Sequence, residues 1–341
     1  MRDEVVEVTR AERAASNGAD TAPPLRAVEE PGHEIPPDID ADVDSPVFVI
    51  GTGRCGTTAL MDLIAYHGEF TWPSQYTARW PRRPQLAALS RIVELPPFTS
   101  RWRFTRYVPK HAENYSEWDE RFPGFAEPFR DLVASDVTPL VKERIRASVR
   151  DLTRFQGKPR YITKYTGWSR IGFVKEIFPD AKFIHIVRDG RAVAYSYTTM
   201  PWWDGWAGAE RSRWALPELM LRELERHDRS FVALAALQWR MLIDDISQAS
   251  ATLPDDDVLL LRYEDMVRDP IATARRGISF AGADPHDRRF EAHLDRAARR
   301  IVDPDSRPSP PPWKRNLSPA QIEMVNELCA EQLRRFDYAS P

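Results

Sequence analysis

The sequence predicts an α/β fold, a doubly wound and mostly parallel sheet organised around one strand–turn–helix anion site. Three observations predict it. Short apolar runs at Val47–Ile50, Lys182–Val187 and Val258–Leu261 alternate with segments of helical periodicity. The first run passes directly into a glycine-spaced turn, Gly51-Thr-Gly-Arg-Cys-Gly56, and then into Leu60, Leu63 and Ile64 at helical spacing. Finally, that turn, Lys164, Arg188 and Tyr263 each follow directly on a predicted strand. Ligands of doubly wound sheets sit beyond the carboxyl ends of the strands, so these four segments are expected to meet at one edge.

The chain has 341 residues, 42% of them hydrophobic, enough for a substantial core, and a net charge of −3 that gives no reason to expect a nucleic-acid partner. Its two cysteines, Cys55 and Cys329, supply neither a disulfide framework nor metal-ligand spacing, and suit a reducing compartment. No apolar run approaches the roughly 20 residues of a membrane span. No apolar segment follows the charged start, so a cytoplasmic protein without a signal peptide is expected. Residues 1–45 are acidic, Ala/Pro-rich and poor in large apolar groups, and read as a disordered tail. A single domain is expected over 46–341.

After the first helix, Glu69–Trp72 reads as a short strand. Residues 73–130 break the α/β pattern: prolines interrupt them throughout, and Trp80, Trp102, Trp118 and several Tyr and Phe lie between. These aromatics either form a small core of their own or line an acceptor pocket. Arg79, Arg82, Arg83, Arg101, Arg103 and Arg106 make this insertion locally basic. A helix is read over 129–156 with a new segment at Pro139, a strand ending near Lys164, helices over Ile171–Phe178 and after Asp189 as N-cap, and largely helical chain over Leu216–Ile246. Pro270 opens a helix to about Phe280, Ser306–Pro312 is a loop, and Pro319–Phe336 is a final amphipathic helix.

A glycine turn between strand and helix makes an anion site, because its free N–H groups and the helix dipole converge on one point. A Walker A loop would carry Lys and then Ser/Thr after its second spaced glycine. Here Thr57 and Thr58 stand in those places, and the cation is inside the loop at Arg54. The run Arg54-Cys55-Gly56-Thr57-Thr58, opened by Gly53, resembles the 5′-phosphosulfate loop of sulfotransferases that use 3′-phosphoadenosine 5′-phosphosulfate (PAPS). Arg188 at a strand end and Ser196 on the following helix resemble that family's 3′-phosphate site, and Arg is suited by its planar fork of donors. Tyr263, in Tyr-Glu-Asp, resembles the residue near the adenine, and Trp313-Lys314 resembles the C-terminal segment near the cofactor. The resemblance covers about 46–66 and 158–338 and is nearer the carbohydrate/protein branch than the phenol/steroid one.

The resemblance implies in-line transfer of a sulfuryl group from PAPS to a hydroxyl or amine, with no metal required. Arg54 and the Thr57 and Thr58 amides would face the charge developing on the leaving oxygen, with Lys164 as a further donor on the sulfuryl side. The general base is not where some branches put it. Lys164-Tyr165-Thr166 lacks a histidine, and Ser74-Gln75 offers no carboxylate. Glu127 is the first choice, because Phe125 and Phe129 suggest an aromatic setting; His111, Asp204 and Glu113 are alternatives. Trp202 and Trp203, in Pro201-Trp-Trp-Asp-Gly-Trp206, either form an acceptor wall or pack under the insertion. A glycan, glycolipid or small aromatic acceptor is expected. A P-loop kinase-like enzyme and a non-catalytic nucleotide-binding protein are the rival readings.

Overall fold

A computed structural model of the chain describes residues 43–94, 107–113, 115–302 and 311–338. Five strands form one sheet in the order β2-β3-β1-β4-β5. They are β1 (Val47–Ile50), β2 (Phe70–Thr71), β3 (Arg160–Lys164), β4 (Lys182–Val187) and β5 (Val258–Arg262), and every pairing is parallel. The principal helices are α1 (Thr57–Ile64), α2 (Pro139–Gln156), α3 (Ile171–Ile177), α4 (Gly190–Thr198), α5 (Phe231–Ser250), α6 (Pro270–Phe280), α7 (Arg288–Val302) and α8 (Pro319–Leu328). Shorter pieces are named by their residues. Strand β1 has β3 on one side and β4 on the other, so the strand order reverses at β1, and the crevice beyond its carboxyl end is where such sheets bind ligands.

Helices cover both faces of β1, which explains why its apolar run is continuous rather than alternating. Val47 and Val49 join Ile184 and Ile186 in one core with residues of α1, α6 and α7. Phe48 and Ile50 face the other side, with Ile145 and Val149 of α2 and Phe173 of α3. There Phe48 stacks on Tyr165 and Phe183 at ring separations of 5.6 and 5.8 Å. A third core joins α4, α5 and α8 through Val193, Trp239 and Val325.

Several boundaries differ from the sequence reading. Strand β5 lies at the sheet edge and is only half covered, with Leu260 46% exposed, so the buried strand expected there is an edge strand. Residues 129–138 form only a 3-10 turn at Ala134–Asp136, and the helix starts at Pro139 behind Thr138, whose side chain accepts from the Val141 N–H. The expected helix over Leu216–Ile246 is two, Glu218–Glu225 and α5, separated where Asp228 and Arg229 take left-handed backbone angles. The last helix also breaks, at Cys329. Helix α7 was not anticipated: Phe290, Leu294, Ala297 and Ile301 are its buried stripe, obscured in the sequence by a run dense in arginine.

The insertion does not build a core of its own. Trp118, Phe122 and Phe125 pack into the sheet core beside Phe48, while Trp80 stays 46% exposed. Among its arginines, Arg82 pairs with Glu120 and Arg79 lies over Trp80. Arg101, Trp102, Arg103 and Arg106, positions 1–42 of the expected tail, and positions 306–310 of the expected loop lie outside the described residues. Val43 is already buried against the Phe48 side of the sheet. No helix among the described residues is long and apolar enough to cross a membrane.

Candidate active site

The turn after β1 has the backbone of an anion cradle. Arg54 and Gly56 both take left-handed angles, with φ of 65° and 105°, and α1 begins at Thr57 with no side chain capping its N–H groups. At Gly56 a side chain is excluded twice over, by that angle and because a Cβ would lie 2.5 Å from the Tyr263 ring. Cys55 turns inward: it is fully buried, and burial pushes its thiol up to about 11. It is a packing group, so it presents only its backbone to a ligand.

The strand ends assemble around this turn. Gly167 N–H donates to the Gly51 carbonyl at 3.1 Å, joining the chain after β3 to the turn. Arg188, just past β4, donates from Nη1 to the Arg54 carbonyl at 3.0 Å, and its guanidinium lies 4.3 Å from the centre of the Tyr263 ring. Asp189 caps α4 and pairs with Arg191 rather than Arg188, leaving Arg188 turned toward the loop. Ser196, two turns along α4, accepts a hydrogen bond from Arg54 Nε at 2.9 Å. Lys164, at the end of β3, is 6% exposed and donates from Nζ to Thr58 Oγ1 at 2.8 Å and to Glu113 Oε1 at 2.6 Å. Four segments far apart in sequence thus meet at one sheet edge, as their positions after strands predicted.

A cleft of about 440 Å³ opens from the first turn of α1. Gly53, Arg54, Thr57, Thr58, Lys164 and Glu113 form its polar end, while Tyr115, Pro128, Trp202 and Trp214 are among its walls. Residues 46–287, well over half of the chain, match the model of the sulfotransferase family. The chain belongs to that family.

Similarity extends beyond the matched span. The omega-hydroxy-beta-dihydromenaquinone-9 sulfotransferase Stf3 of Mycobacterium bovis is 24% identical over 316 residues, covering 86% of this chain and 76% of that protein. Among solved structures, the sulfotransferase STF9 from Mycobacterium avium aligns over 88% of this chain and 78% of its own, with a TM-score of 0.56 at 19% identity. STF1 from Mycobacterium tuberculosis H37Rv aligns over 86% and 78%, with a TM-score of 0.50 at 16% identity. Both share the fold.

Within this sulfotransferase the four carboxylate and histidine candidates for the base separate clearly. Glu113 lies in the cleft, in contact with Lys164. Glu127, the first choice from sequence, also lines the cleft, but it is 63% exposed and 3.3 Å from Arg213 Nη1, so the aromatic enclosure expected around it is absent. His111 points away, onto Asp62 of α1 at 2.9 Å. Asp204 accepts from Ser212 Oγ and the Arg213 N–H and braces its own loop. The two tryptophans also part. Trp202 is 40% exposed and lines the cleft, whereas Trp203 is 3% exposed and donates from Nε1 to Gln238 of α5 at 2.9 Å, which removes it from the acceptor wall. Lys314 is exposed on the short helix Pro312–Asn316, which Asn316 ties to Tyr195 of α4.

Two cleft arginines escaped the sequence reading, as did the apolar wall residues Tyr115, Pro128 and Trp214. Arg213 bridges Glu127 and Asp204 across the mouth. Arg170 is 2% exposed, donates to the Phe125 and Trp168 carbonyls, and lies 5.8 Å from the Tyr115 ring centre. Neither belongs to a motif; only the tendency of a buried arginine to organise nearby carbonyls would have marked Arg170. Behind it, Ser169 bonds both Asp131 and Asp245. Burial, together with the charge of Asp131, pushes the Asp245 carboxyl up to about 7.

Proposed function

We propose that this enzyme transfers the sulfuryl group of PAPS to a hydroxyl on an aromatic or lipid acceptor. The observation that carries the reading is the polar end of the cleft: an uncapped helix start, a cation and a carboxylate meet there, with Thr58, Lys164 and Glu113 joined by hydrogen bonds of 2.8 and 2.6 Å. The site fits the donor. The loop N–H groups and the first turn of α1 would hold the 5′-phosphosulfate, and Arg188, Ser196 and Arg54 the 3′-phosphate. Tyr263, already under the Arg188 guanidinium, would flank the adenine. When bound, PAPS supplies an activated sulfuryl group.

The chain's own residues do the rest. Lys164 is placed at the start of α1, where it can neutralise charge developing on the leaving oxygen. Arg54 was expected there, but its guanidinium leans toward Ser196, so we assign it mainly to holding the nucleotide. Glu113 takes the acceptor proton, a role for which its place beside Lys164 makes it better suited than Glu127 on the rim. In this arrangement Lys164 fixes the position of the Glu113 carboxylate at the polar end of the cleft. Tyr115, Trp202, Trp214 and Pro128 offer an apolar bed, which favours a ring or lipid chain carrying the hydroxyl. The relative Stf3 is named for an acceptor of that type, an omega-hydroxylated dihydromenaquinone.

Thermal shift tests the donor. Adenosine 3′,5′-bisphosphate is expected to stabilise the protein far more than AMP or magnesium-ATP; equal shifts from AMP would sink the PAPS reading, and a preference for magnesium-ATP would favour a kinase. Transfer of radiolabelled sulfate to a panel of aromatic alcohols, ω-hydroxylated isoprenoids and glycans tests the acceptor. Labelling of the glycans alone would overturn the aromatic or lipid assignment.

A further inference from the structure

A second cavity, of about 640 Å³, lies beside the outer edge of the sheet, between β2 and α7. It shares no lining residue with the catalytic cleft. One side is lined by four aromatic rings in contact with one another. Tyr66 lies 5.0 Å from Trp72 and 4.8 Å from His293, and His293 is stacked on Phe290 at 5.4 Å. Burial lowers the His293 pKa to about 4, so this imidazole is a neutral ring at pH 7. The charged lining residues are Lys158, Arg289, Arg296, Glu69 and Asp287. The two carboxylates are engaged: Glu69 pairs with Arg160 at 3.4 Å, and Asp287 accepts from the Arg289 backbone N–H at 2.9 Å and lies 4.0 Å from His67 Nε2. Among the described residues neither Arg289 nor Arg296 has an ion-pair partner for its guanidinium. The cavity therefore combines aromatic walls with the positive charge of Arg289 and Arg296.

From this combination we infer that the cavity is a second ligand site, which takes a planar aromatic anion. The rings offer stacking area to a flat body, and the guanidiniums offer charge-assisted, bidentate hydrogen bonds to a carboxylate or similar head. A neutral ligand of the same shape gains only the stacking.

Calorimetric titration of the full chain with 2-naphthoate, and with neutral 2-naphthamide as its isostere, tests the site. The anion is expected to bind at least about tenfold more tightly than the amide, as one charge-assisted bond implies. Arg289→Ala/Arg296→Ala is expected to erase that preference. Ala292→Trp, on the exposed side of α7, is expected to fill the cavity and abolish binding without lowering Tm. Trp202→Ala, in the catalytic cleft, is expected to leave binding unchanged. The inference is overturned if 2-naphthoate does not bind. It is equally overturned if binding survives Ala292→Trp, or if the double arginine variant leaves the preference for the anion intact.

Discussion

On the phosphate-loop side of the cleft, the candidate residues stand at strand ends, in the turn after β1 or on the helices that follow; on the acceptor side they hang from the segments at 107–130 and 200–214. The first group is positioned by backbone. Lys164 ends β3, Arg188 follows β4, and Ser196 lies on α4, so their places follow from sheet register and helix phase. The second group is positioned by side chains. The Thr166 N–H donates to Tyr115 Oη at 2.7 Å, the Trp203 N–H anchors the 200–207 loop on Gln238, and Arg213 links Asp204 to Glu127. Rigid elements hold a charge where chemistry needs it, while loops braced by single contacts can be exchanged to suit another acceptor. The two sides should therefore fail differently when altered.

The largest effect is expected where the sides meet. Glu113→Gln should lower kcat by about 10²–10⁴ while adenosine 3′,5′-bisphosphate binds as before. Retained turnover, measured by sulfate transfer, would return the base role to Glu127. Next come the adjacent tryptophans. Trp203→Ala should cost roughly 3–5 kcal/mol of stability, because it removes a buried indole and leaves Gln238 without that donor. Trp202→Ala should unfold near the wild-type temperature and raise the acceptor KM instead. Denaturant melts and steady-state kinetics on both variants would break the comparison if the two phenotypes were the same.

On the phosphate-loop side, Arg188→Ala should weaken adenosine 3′,5′-bisphosphate by roughly 1.5–3 kcal/mol, as loss of a charged hydrogen bond implies, and AMP hardly at all. Equal losses for both nucleotides would mean that Arg188 supports the loop, through the Arg54 carbonyl, instead of reading a 3′-phosphate. The smallest effect belongs to the acceptor side. With its folded-state pKa raised from 3.8 to about 7, Asp245 binds a proton more tightly when folded than when unfolded. Stability from this group is therefore greatest at acid pH and falls as pH rises from about 4 through 7. Asp245→Asn keeps an acceptor for the Ser169 N–H, so it should raise Tm at pH 8 by a few degrees, with the gain shrinking toward pH 4. A gain that is constant with pH would show that ionisation of Asp245 is not its source.

The fold and the phosphate-loop half of the site were legible in the chain because both are written locally. Four consecutive buried residues announce β1, glycine spacing announces the turn, and the Arg188–Ser196 separation is set by a strand end and two helical turns. The charge-dense α7 and the break at Cys329 were not legible, since propensity and periodicity there are weak beside tertiary packing. The acceptor half depended on contacts that no local pattern encodes. Glu113 meets Lys164 across 51 residues, and Trp203 meets Gln238 across 35. Trp202 and Trp203 are neighbours of the same type, yet one faces the cleft and the other the core. In a loop without a repeating backbone geometry, the direction of a side chain is set by what packs against it: α5 for Trp203, and Tyr197 of α4 with Trp214 for Trp202.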